Sequence, residues 1–181
     1  MKNPTKPSWV DIKAQLAEFD RAGLLGLVQD LYTASKGNQA FLHARFGLGN
    51  DVLEPYKRVI DTCVWPDVFK NQIVSVSKAK KAISDYKKAV GRPEGVAELT
   101  VFYCERAAGF SDDIGMEDDA FFRALVRMYE QALKLVVALP DDERDVFIAR
   151  LDAVRRVCAN FGYGVSDDMN ALFADYVSHD S

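Results

Sequence analysis

The side chains able to do acid–base, nucleophilic or metal chemistry are few in this chain and widely scattered. There are two histidines, His43 and His179, and three cysteines, Cys63, Cys104 and Cys158, in 181 residues. No H-x-x-x-H, H-E-x-x-H or C-x-x-C occurs, the spacings that bring ligands onto one face of a helix or turn. The expectation is therefore no metal, no cofactor and no catalytic residue. His43, within Phe41-Leu42-His43-Ala44-Arg45-Phe46, reads as a half-buried hydrogen-bonding group, and His179 lies near a chain end. Isolated thiols without a neighbouring base behave as small hydrophobes. An odd number of them argues against a disulfide framework.

Three charged groupings remain. The run Ser111-Asp112-Asp113-Ile114-Gly115-Met116-Glu117-Asp118-Asp119 is rich in oxygen, but its carboxylates do not alternate as a Ca²⁺-binding EF-hand loop requires. The same residues suit the start of a helix, where a carboxylate caps free N–H groups and meets the positive end of the dipole. Lys78, Lys80, Lys81, Lys87, Lys88 and Arg92 form the strongest basic cluster. On a helical wheel they fill the face opposite an Ala/Ile/Tyr stripe. That is the pattern of a solvated face, with a phosphate-tracking surface as the alternative, although no aromatic lies among them to stack a base. Arg45 and Glu105 sit beside apolar stretches and are candidates for a buried polar pair, a usually structural device. A phosphate loop is absent, and Gly162-Tyr163-Gly164 is too short to be one.

The elements that must carry these residues are helical almost throughout. Ser8 with Asp11 matches a capping box ahead of Trp9, Ile12, Leu16 and Phe19 at helical spacing. Asp20 caps a helix over 21–34 with Leu24, Val28 and Leu31 facing inward. Gly37-Asn38 breaks it before a short helix to Phe46, giving a packed helical hairpin. Gln39, His43 and Arg45 are too few polar groups for a DNA-reading helix. After a turn at 47–50, a helix from about Asp51 accepts Pro55 in its first turn and ends at Trp65-Pro66. Ser77 caps a helix over 78–90, Gly91 closes it, and Pro93 opens the next, to about residue 108. Residues 117–139 carry two apolar stripes, which predicts the longest and central helix. A helix over 142–161 and a last helix, capped by Ser166 and running to about Val177, complete the chain. Gln72–Ser77 alternates, but one short run makes no sheet. The predicted fold is all-α: an irregular helical bundle or a short α-solenoid of stacked hairpins, with eight to nine helices.

Length and composition fit one such domain over 8–181, after a polar, Pro-broken N-terminal tail, 1–7. Nearly half the residues are hydrophobic, an ordinary globular share. No apolar run is long enough to span a bilayer, and the first residues lack the apolar core of a secretory signal, so the expectation is a cytoplasmic protein with no membrane partner. The net charge of −4 conceals a split: residues 1–92 hold 15 Lys+Arg against 9 Asp+Glu, and residues 93–181 hold 8 against 18. A basic half can meet an anionic partner, or the two halves can attract each other.

The segments "LVQDLYTASKGNQAFLHARF", "KAKKAISDYKKAV", "LTVFYCERAAGF" and "FGYGVSDDMNALFADY", in this order, resemble a family of small bacterial proteins catalogued as a domain of unknown function. The resemblance spans residues 9 to 177 and implies a bacterial, soluble, helical protein without assigned catalytic residues. Family members carry Trp at the position of Tyr163 and a His near Ser166; this chain has neither. The function expected is a non-enzymatic helical scaffold or adaptor that binds another protein. The alternatives are a nucleic-acid-binding accessory protein using the basic N-terminal half, and an enzyme whose carboxylate or arginine site, drawn from Arg45, Tyr103 or Glu105, is assembled from distant residues.

Overall fold

A computed structural model of the chain describes residues 6–49, 51–116 and 118–177. Most of the expected N-terminal tail, Asn50 of the expected turn, Glu117 and His179 lie outside them. Among the described residues there are nine α-helices and no strand. They are α1 (Trp9–Leu16), α2 (Arg21–Ala34), α3 (Lys36–Phe46), α4 (Glu54–Val64), α5 (Val76–Ala89), α6 (Pro93–Ile114), α7 (Asp119–Val136), α8 (Asp141–Val157) and α9 (Val165–Val177), with short 3-10 turns at Val68–Lys70 and Cys158–Asn160. The fold is an irregular helical bundle.

Local chemistry sets most of these ends. The Ser8/Asp11 capping box is formed, with the Ser8 N–H donating to Asp11 at 2.7 Å. Asp20 accepts from the Gly23 N–H at 2.7 Å. Pro55 and Pro93 fall in first turns, where their missing N–H is no loss. Gly91, after α5, has φ +71°, and a Cβ there would meet the Lys87 carbonyl at 2.9 Å, so the turn between α5 and α6 requires glycine.

Four expectations are corrected. The chain breaks at Ser35, not at Gly37-Asn38: the extended Ser35 caps α3 by accepting from the Asn38 N–H at 3.1 Å, and Gly37 and Asn38 become its first turn. The Asn38 amide reaches back to the Leu31 carbonyl at 2.6 Å, which closes the α2–α3 hairpin. Helix α5 begins two residues early, at Val76, so Ser77 lies inside it rather than capping it. Ser166 is likewise helical, since α9 starts at Val165. The longest and central helix is α6, with 22 residues, rather than α7. It runs through Asp112 and Asp113, and it packs against α4, α5, α7 and α8.

The small residues of α6 explain its position. Gly95, Ala97, Ala107 and Ala108 are buried, interleaved with Leu99, Val101, Tyr103 and Phe110, so neighbouring helices approach on several sides. At Gly95 an added Cβ would lie 2.0 Å from the Tyr86 hydroxyl of α5. Around α6, α4 and α5 form one hairpin; α7 and α8 pair on another side, and α9 covers both. Helix α3 rests on α5, and α2 on α3.

Candidate functional site

Three groupings of side chains could carry function: a polar network across three helices, a basic face with a neighbouring cavity, and an apolar arm.

Arg150 of α8 is the centre of the network. Its guanidinium donates to Glu105 at 2.7 and 2.9 Å and is ion-paired with Glu98. Lys57 of α4 holds the other side of Glu98 at 2.5 Å. Glu98 and Glu105 are two turns apart on α6, so one face of the central helix carries both. Burial pushes the Glu98 carboxyl up, and the hydrogen bonds and charges of Arg150 and Lys57 outweigh it, leaving the group below its ordinary range. Asp61 of α4 and Arg106 of α6 add a second tie at 2.5 Å, with the Arg106 guanidinium over Trp65 at 4.0 Å from the ring centre. These residues line none of the cavities described here, and every cation in them is matched by a carboxylate. The network fastens α4 and α8 to α6.

The expected Arg45–Glu105 pair is not formed. Glu105 is held by Arg150, while Arg45 is exposed in the last turn of α3, where a cation suits the negative end of the helix dipole. Tyr103, named with them, is fully buried in α6 with no partner for its hydroxyl, and shares no site with Arg45. Sequence reasoning missed Arg150 and Glu98 because their partners are 41 to 52 residues away along the chain; the one available signal was the two-turn spacing of Glu98 and Glu105.

His43 accepts or donates a hydrogen bond at 2.9 Å with the Tyr32 hydroxyl. It thus ties α3 to α2. Cys104 and Cys158 are fully buried; burial raises the Cys104 thiol well above its normal range and pushes Cys158 up to about 12, so both stay protonated and unreactive. Asp118 caps α7, accepting from the Phe121 N–H at 2.7 Å, as the acidic run suggested.

Lys78, Lys80, Lys81, Lys87, Lys88 and Arg92 are all exposed. Lys81 pairs with Asp85 at 2.5 Å, within α5. The other five have no ion pair among the described residues, so the acidic half of the chain does not neutralise this face. Lys78 and Lys81 also border a cavity of about 460 Å³ between α3, α4 and α5. Its walls include Ala40, Pro55, Val59 and Ala82, together with the buried ring of Tyr56. The Tyr56 ring meets Tyr86 edge-on at 5.4 Å, and its hydroxyl has no hydrogen-bond partner. Burial, then the nearby Asp85 carboxylate, raises the Tyr56 pKa, so the hydroxyl keeps its proton and remains a donor.

The arm is the N-terminal end. Neither α1 nor α2 buries any residue. Leu24, Val28 and Leu31, expected inward, are all exposed: the stripe exists, but beside it only the side chains of Leu27 and Tyr32 are half-buried, Tyr32 against His43 of α3. Trp9 is 68% exposed, Val10 73% and Leu25 61%. Ile12, Phe19, Leu24, Val28 and Leu31 are exposed with them, so the segment leaves eight large apolar side chains in water.

Compared with known proteins, the chain matches no family model, no curated protein and no solved structure.

Proposed function

We propose that this chain is a non-enzymatic helical adaptor that binds another protein through the α1–α2 arm. One observation carries the reading: two successive helices bury nothing and expose Trp9, Val10, Ile12, Leu24, Leu25, Val28 and Leu31. Large exposed apolar patches on a folded domain mark interaction surfaces. Helix α2 carries only two charges, Arg21 and Asp30, in 14 residues. A helix that lies on a lipid surface has a strongly basic polar face, which α2 lacks. The chemistry fits a weakly charged apolar groove on a protein, entered by Leu24, Leu25, Val28 and Leu31 as a helix-in-groove contact.

The test compares the tagged chain with its Leu25→Ser/Val28→Ser variant, in untreated and in nuclease-treated lysate, by affinity capture and mass spectrometry. Both substituted positions are exposed, so helix content by circular dichroism stays unchanged. A stoichiometric protein partner retained by the parent and lost by the variant is the expected result. Capture that is equal in the two proteins, or that disappears on nuclease treatment, overturns the assignment of the arm.

A further inference from the structure

We propose that the cavity between α3, α4 and α5 binds an anionic amphiphile: a small molecule with a short apolar body and a carboxylate or phosphate-monoester head. The cavity is separate from the arm and independent of its role. A volume of about 460 Å³ is in the range of small-molecule sites, about 300–1,000 Å³, which are mostly apolar with a few placed polar groups. Ala40, Pro55, Val59 and Ala82 supply the apolar wall.

The rim supplies the charge. Lys36, Arg58, Lys78 and Lys81 border the cavity against one carboxylate, Asp85. Arg58 is committed to Glu54 at 3.1 Å and Lys81 to Asp85 at 2.5 Å. Lys36 and Lys78 have no ion pair among the described residues. Each lies in the first turn of its helix, and neither α3 nor α5 has an acidic residue in that turn. A cation at a helix N-terminus is opposed by the dipole, so helix stability does not account for either lysine. Together they raise a positive potential over an apolar hollow.

Tyr56 backs the apolar wall: the residue is 5% exposed, its ring meets Tyr86 edge-on, and its hydroxyl is shielded from solvent. A nucleic acid is a poorer match, because the two free lysines flank a partly open apolar hollow of small-molecule size rather than a track for a phosphate backbone.

The experiment is an NMR titration of the full ¹⁵N-labelled chain with octanoate, octyl phosphate, octanol and inorganic phosphate. Saturable shifts confined to α3, α4 and α5 are expected with octanoate or octyl phosphate, and the tighter of the two identifies the head group. Octanol and inorganic phosphate should each bind at least about ten-fold more weakly, since each lacks one half of the recognised chemistry. Lys36→Gln/Lys78→Gln, at two exposed positions, should abolish the preference for the anion over octanol. Shifts mapping to α1 and α2 alone, equal affinity for octanol and the anions, or an unchanged preference in the double variant would overturn the proposal.

Discussion

Replacing Arg150 with Met should destabilise the protein by about 2 kcal/mol, and the cost should fall almost entirely on Glu105. Met keeps the apolar stem beside Phe147, which the guanidinium overlies at 5.4 Å, and removes only the charge and its donors. Glu98 then still has Lys57 at 2.5 Å. Glu105 loses both of its bonds, at 2.7 and 2.9 Å, and has no other partner among the described residues. Breaking a buried ion pair costs about 3–5 kcal/mol and an exposed one below ~1. The Arg150 and Glu105 side chains are 28% and 31% exposed, which puts the loss between those limits. With a urea slope of about 2 kcal/mol/M, the denaturation midpoint should drop by about 1 M. Glu105→Gln in the Met background should recover about 1 kcal/mol, because no unpaired carboxylate is left; Glu98→Gln in that background should recover nothing. A midpoint change equivalent to less than about 0.5 kcal/mol, the range of an ordinary surface substitution, refutes the fastening role. So does equal recovery by the two Gln variants.

Other substitutions follow the same logic. Glu98 titrates below its unfolded value of 4.5, so its contribution is complete above about pH 4.5 and is lost as pH falls through the lower folded value; Glu98→Gln should flatten the acid limb of a stability–pH curve. Gly95→Ala drives a methyl group to 2.0 Å from the Tyr86 hydroxyl and should cost about 1–3 kcal/mol by urea titration. Gly26→Ala in α2, where nothing lies within 4 Å, should do the reverse, raising helix content and stability by about 0.5–1 kcal/mol. Native protein treated with iodoacetamide at mildly alkaline pH should be modified at Cys63 alone, the half-buried thiol, and at all three cysteines after denaturation.

Local signals were legible in the sequence, and long-range ones were not. The Ser8/Asp11 box and the Asp20 cap act within three residues, and both form as read. The end of α2 was misplaced because Gly37-Asn38 is the stronger breaker by residue type, whereas an extended Ser35 with its hydroxyl on Asn38 ends the helix with less sequence signature. The stripe Leu24, Val28, Leu31 was correctly periodic, but periodicity reports that a face is apolar, not what covers it. For the same reason α7, with two stripes, looked more central than α6, whose small residues Gly95, Ala97, Ala107 and Ala108 permit the closer packing. Glu105 was singled out for its charge, but its partner could not be found without the fold, because Arg150 is brought to it only when α8 packs on α6. The cavity at Tyr56 combines residues from three helices and has no linear trace beyond the basic run that forms part of its rim.

The exposed arm also sets a gradient of local stability. Isolated helices shorter than about 12–15 residues are marginal in water, and α1 and α2 have 8 and 14 with no burial to hold them. Their amide hydrogens should exchange through local opening, while those of α6 exchange only when the whole molecule unfolds. Any partner that closes over the arm would have to supply the free energy that keeps these helices formed. Its affinity would then depend on the helix propensity of α2, which Gly23 and Gly26 lower, and could be tuned without altering a contact.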